Sequence, residues 1–187
     1  MNFEHMINEL VKEYTTENCY KFWIAINKKF PTVWDRLSSS TKKYHKRKDG
    51  SISTIAEHTY EMLYSASKLM RMFDIKKNTI ECNTLFLSIV FHDFFKYGIK
   101  PNERNHTDKK HDKISADVIL QNKETFLKIL DLDNFHILEE SVRFHSGRWS
   151  TDVNSNIEFD FEDYDPITIF VHTLDMMSSS DLIKIPS

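Results

Sequence analysis

TIECNTLFLSIVFHDFFKY, residues 79–97, reads as a helix that is apolar nearly all round, and such a helix belongs at the centre of a bundle. Gly98 follows as the C′ glycine that would end it. Immediately upstream, Ile55, His58, Thr59, Met62, Leu63, Ala66, Leu69, Met70 and Phe73 recur at steps of three and four, the stripe of a long amphipathic helix. Asp74 to Asn78 breaks the two, with Asn78 the expected N-cap of the central helix. Further out, Phe3, Met6, Ile7, Leu10, Val11 and Tyr14 share one helical face, and a second helix is expected from Glu17 to Phe30, ended by Pro31. Downstream, short helices are expected over roughly 112–122, 124–131 and 134–145. Pro166 suits the first turn of a last helix, PITIFVHTLDMMSSS (166–180).

The intervening stretches are polar. SSSTKKYHKRKDG (38–50) reads as a basic loop and IKPNERNHTDKK (99–110) as a second loop. SGRWSTDVNSNIEFDFEDYD (146–165) lacks helical periodicity and reads as an irregular excursion with a little strand around Ile157–Phe161. With 187 residues, only 3 Gly and 4 Pro, no repeat and no linker, the expectation is an all-α fold. It would be a single compact bundle of roughly seven to nine helices. One domain would span 1–187, its leader and basic loop (1–50) packing on a core over 51–180.

The composition is that of a globular domain: 40% hydrophobic, 28% charged, net charge −3. This balance argues against a broad basic duplex-binding surface. The two cysteines, Cys19 and Cys82, form no CxxC pair, which suits a reduced, intracellular protein. MNFEHMINEL carries an acid where a signal peptide has basic residues, and no apolar run approaches a membrane span. A cytoplasmic location and no membrane partner are expected.

Chemistry concentrates at His92-Asp93. A histidine and an ionisable acid, side by side in a helix of Leu, Ile, Val and Phe, are costly to bury unless hydrogen-bonded, ion-paired or bound to metal. His58 lies on the inward stripe of the preceding helix, His145 closes another, and Asp175 sits on the last. Imidazole nitrogen and carboxylate oxygen suit Fe, Mn, Zn or Co, and separate helices can converge on such an ion.

The ordered set His58, His92-Asp93, Asp175 resembles the H…HD…D signature of the HD-domain superfamily of metal-dependent phosphohydrolases. FHDFFKYG (91–98) looks like that family's "HD-apolar-apolar-K" segment, AEHTYEML (56–63) like its first-His helix, and VHTLDMMSSSD (171–181) like its closing "VH-x-x-D" helix. HDKISADVI (111–119) and VRFHSGRW (142–149) resemble elements of members that hold two metals. SSSTKKYH (38–45) resembles the approach found in a prokaryotic and viral single-domain subgroup. The likeness spans roughly residues 30–180.

The resemblance implies a bundle of the HD-domain type and two divalent transition metals (Mn, Fe, Co or Zn, with Mg a further option). His58, His92, Asp93 and Asp175 would hold the first, and His111 with His145 the second, with Asp93 bridging. A capping histidine is the alternative for His111, which falls at a helix start. The implied activity is hydrolysis of a phosphate ester of a nucleotide or single-stranded nucleic-acid end through a metal-bound, bridging hydroxide, with Asp93 and Lys96 catalytic. Lys96, three residues after Asp93 and on nearly the same helical face, would meet a phosphate oxygen; its plainer reading is a surface lysine. Arg148 would grip phosphate or form a loop salt bridge. Lys43 and His45 are candidates for substrate contact, and His172 for orienting a ligand. Trp149 is the aromatic open to base stacking, whereas Trp23 and Trp34 read as core, and His5, His106 and His136 as ordinary surface or core histidines. A di-iron oxygenase on the same ligands and a non-catalytic nucleotide-binding module are the rival functions.

Overall fold

In the computed structural model, residues 2–29, 34–39, 49–103, 105–153, 160–180 and 182 are described. Among them are eight α-helices: α1 (Phe3–Tyr14), α2 (Glu17–Lys29), α3 (Ile55–Leu69), α4 (Ile80–His92), α5 (His111–Gln121), α6 (Lys123–Phe126), α7 (Leu132–Phe144) and α8 (Pro166–Ser179). Among the described residues the only extended pairing is an isolated bridge between Leu37 and Thr54. The all-helical expectation is met, and among the described residues no helix is long and apolar enough to cross a membrane.

α4 is the central helix. Every residue from Cys82 to His92 is buried, and α1, α3, α5, α7 and α8 all pack on it. α1 lies along α3, with the Phe3 ring against Tyr60, and stacks Tyr14 on Phe86 of α4, while α7 joins α5 to α8. Trp23 is fully buried at the hub of an edge-on aromatic cluster with Trp34, Phe91 and Phe94, at ring separations of 5.9–6.2 Å. Such pairs add to the large apolar area that each ring removes from water. Both cysteines are buried, and burial pushes their thiols up to about 12, well away from reactive thiolate.

Helix starts follow side-chain capping chemistry. Thr54, Thr79, Asp131 and Asp165 each accept a first-turn N–H, and Pro166 occupies the first turn of α8. The cap of α4 is therefore Thr79 and not Asn78. Asn78 takes a left-handed conformation (φ 59°), which asparagine tolerates, and its N–H bonds the Tyr14 carbonyl.

The other departure concerns the site directly. α4 ends at His92 instead of running to Tyr97. Asp93 adopts φ −108°, ψ 8°, and the next residues fold into successive tight turns, Lys96 N–H to Asp93 carbonyl and Gly98 N–H to Phe95 carbonyl. A continuing helix would spread Phe94, Phe95 and Tyr97 around its circumference, whereas the turns bury all three. Likewise α3 finishes in a single 3-10 turn over Met70–Phe73, where Phe73 stacks on Phe170. α6 is one turn long, shorter than expected. Of the expected strand, 157–159 lie outside the described residues, and Phe161–Asp163 is a 3-10 turn.

Candidate metal centre

Four histidines and two aspartates are delivered by five elements. His58 comes from the second turn of α3, His92 is the last residue of α4, and Asp93 is its C-cap. His111 opens α5, His145 caps α7, and Asp175 comes from α8. Five of the six are buried, and the His111 side chain is only 12% exposed. His92 and Asp93 are neighbours in sequence, and the end of α4 between them lets both side chains face one point. In a continuing helix they would diverge by about 100°.

Two sets of ligand atoms each lie within 4.8 Å of one another, His58–His92–Asp93 and Asp93–His111–His145, and either could hold a metal ion. Asp93 belongs to both. Its Oδ2 faces His92 Nε2 at 3.5 Å and His58 Nε2 at 3.9 Å. Its Oδ1 faces His111 Nε2 at 3.1 Å and His145 Nε2 at 3.7 Å. Asp175 joins the first set through His58, with Oδ1 3.1 Å from Nε2.

The hydrogen bonds decide the tautomers. His92 Nδ1 lies 2.6 Å from the Ile89 carbonyl, His111 Nδ1 2.9 Å from that of Asp108, and His145 Nδ1 2.7 Å from that of Val142. A carbonyl only accepts, so each Nδ1 carries the proton and each Nε2 presents a lone pair. His58 Nδ1 meets Ser178 Oγ at 2.8 Å. The Nε2 atoms then approach in pairs, His58 to His92 at 3.1 Å and His111 to His145 at 3.2 Å.

Acceptors facing one another at such distances repel unless a cation lies between them. A proton is a poor candidate at His92, because burial pushes that ring down to about 3. Two imidazole nitrogens at ordinary metal–nitrogen distance from one ion stand roughly 3.0–3.4 Å apart for cis angles between octahedral and tetrahedral. The observed spacings fall in that range, so the residues fit a metal.

The carboxylates are held ready. Burial opposes ionisation of Asp93, but the Lys96 ammonium, with His92 and His111 beside it, outweighs burial and holds the carboxyl well below the usual range. Burial opposes ionisation of Asp175 too, and the neighbouring His58, His92 and His145 rings keep it low. Lys96 Nζ sits 2.8 Å from both Asp93 oxygens. The turn, and not a shared helical face, brings Lys96 back onto Asp93.

The remaining sequence candidates divide. His172 donates Nδ1–H to the His145 carbonyl at 2.6 Å, and so braces a ligand-bearing segment. Arg148 is exposed, its guanidinium 4.5 Å from the centroid of the Trp149 ring, itself 62% exposed. Lys43 and His45 lie outside the described residues. His5, His106 and His136 are exposed.

Three residues escaped the sequence reading. Buried Asp112 accepts from the N–H and hydroxyl of Thr151, tying the chain beyond His145 to α5. Glu61 and Ser178 line up behind His58. A buried-face acid three residues after the first histidine was the available signal for Glu61, whereas Ser178 is lost within a run of serines. Compared with family models, with curated proteins and with solved structures, the chain matches none.

Proposed function

We propose that the chain is a metal-dependent phosphohydrolase that holds two divalent cations and cleaves a phosphate ester of a nucleotide or of a single-stranded nucleic-acid end. The observation that carries the reading is Asp93, whose two oxygens face two separate histidine pairs. His58, His92 and Asp175 would hold one cation, His111 and His145 the other, and Asp93 both. Cations so held would activate water and supply charge for phosphate oxygens.

The protein's part is arrangement. The carbonyls of Ile89, Asp108 and Val142 keep three Nε2 atoms unprotonated and aimed inward, at no cost of reorganisation when substrate arrives. Lys96 keeps Asp93 ionised and, at 12% side-chain exposure, still brings positive charge to the edge of the site, where a phosphate oxygen would meet it. Burial of these side chains strengthens each charge interaction among them. The resemblance of His58, His92-Asp93 and Asp175 to the HD signature supports the same reading.

The test is phosphate release from a panel of nucleotides and short oligonucleotides by protein loaded with Mn or Co, run without oxygen. Turnover that disappears in Asp93→Ala supports the proposal. Turnover that survives Asp93→Ala, or activity seen only with iron and accompanied by oxygen consumption, overturns it. Tight nucleotide binding without product across all metals would identify a binding module instead.

A further inference from the structure

Three of the four ligand histidines take their orientation from a backbone carbonyl three residues earlier. His58 does not. Its Nδ1 meets the hydroxyl of Ser178, and that hydroxyl lies 2.6 Å from Glu61 Oε2. Glu61 is 3% exposed and Ser178 6%, so the whole row lies in the interior, running from α3 to α8 and back to α3.

The direction of the protons in this row is determined by counting. A serine hydroxyl carries one proton, and a carboxylate only accepts. Glu61 therefore accepts the Ser178 O–H, and Ser178 has only lone pairs left to offer His58. The proton of the next contact must come from His58 Nδ1, which leaves His58 Nε2 bare toward His92, Asp93 and Asp175.

We infer that Glu61, acting through Ser178, is a positioning residue that sets the tautomer of His58 and thereby makes it a ligand of the first half of the metal centre. This rests on the two-cation reading of the site. The device differs from the other three rings in kind. A carbonyl is fixed by the chain, whereas a side-chain row can be reversed by one substitution. Without the Glu61 charge the Ser178 hydroxyl is free to turn and donate to Nδ1, which moves the ring proton to Nε2 and closes the ligand position. The carboxylate also makes His58 a stronger donor, as acidic partners of ligand histidines do.

The two halves share Asp93 but not this row, so a positioning role must act on one half only. Zinc titrations of the full chain, followed by side-chain proton–nitrogen correlation spectra, report each histidine ring separately, and chelator competition gives the affinities. Ser178→Ala is expected to weaken zinc at His58 and His92 by about 10–100-fold, while His111 and His145 respond as in the wild type. Ser178→Thr, which keeps the hydroxyl, is expected to restore the affinity. Glu61→Gln, which keeps the volume, should weaken the same half by a smaller factor, and it serves if Ser178→Ala fails to fold. Equal weakening of both halves, or none, overturns the inference and leaves the two-cation reading standing. A wild-type chain that binds no zinc at these rings overturns that reading, and the inference with it.

Discussion

Lys96 Nζ lies 2.8 Å from each of the two oxygens of Asp93, so the carboxylate that faces both histidine pairs is also spanned by a lysine. Lys96 and any cation held by the histidine pairs would thus share one buried charge. On the proposed two-cation reading Asp93 would not depend on Lys96 to stay ionised, and the ammonium would be available to a phosphate oxygen. Lys96→Met is therefore expected to lower kcat for phosphate release by about 10²–10³-fold, the usual loss for one electrostatic group at a transition state. Metal content, measured by elemental analysis, should stay at the wild-type value.

Asp93→Asn should behave differently, because the shared ligand serves both sets. Both ions are expected to be lost, with activity falling by more than about a thousandfold, beyond the loss of a single hydrogen-bonding group. His111→Ala, which removes a ligand from one set only, is expected to retain one ion per chain. Elemental analysis of the two variants beside the wild type checks the pair of outcomes.

Acid should destabilise the protein well before its carboxylates titrate. His92 has an ordinary value of 6.5 and is held by burial at about 3 in the fold. Between those limits the unfolded chain takes up a proton that the folded one refuses, so the stability present above pH 6.5 is lost as pH falls toward 3. The slope is about 1.4 kcal/mol per pH unit for each such ring. His145, also depressed by burial and by His111, adds to it. Asp93 and Asp175, held below their ordinary 3.8, extend the loss under that value. Urea unfolding in the presence of chelator, at intervals from pH 7.5 to 4.5, should show a midpoint that falls steadily; a flat profile would contradict the burial of neutral His92.

Gly147 offers a test of the bracing behind His145. It adopts φ +57°, and a Cβ there would stand 2.6 Å from His172 Cε1. Gly147→Ala must strain the backbone and displace the ring that holds the His145 carbonyl. A loss of about 1–3 kcal/mol is expected, seen as a Tm lower by roughly 2–10 °C. Zinc at His145 should weaken as well, which a purely local strain would not cause.

The clustering of the site's side chains was legible where a member stands out against its own helix, as His58 does on an apolar stripe and His92-Asp93 in a run of Leu, Ile, Val and Phe, whereas His111, at a polar helix start, came only with the family resemblance. Helix existence was legible for the same reason, since periodicity records which face is buried. Helix ends were less so. Thr79 and Asn78 are both competent caps, and the choice between them was made by the Asn78 N–H reaching Tyr14, a contact 64 residues away in sequence. The end of α4 at His92 depends on where Phe94 finds the Trp23–Trp34 cluster, again a tertiary matter. Glu61 and Ser178 are 117 residues apart and meet only across the α3–α8 contact, so no local pattern links them.

Four of the six candidate ligands share one further trait. His92 and Asp93 close α4, His111 opens α5, and His145 caps α7. Helix termini are where a folded chain opens first, at free energies far below that of global unfolding. Cations bound here would act as rivets through three fraying points at once. Stripping them is then expected to leave the bundle standing while amides at 93–97, 110–112 and 143–147 begin to exchange with solvent. The middle of α4, which touches no ligand of its own, would stay protected.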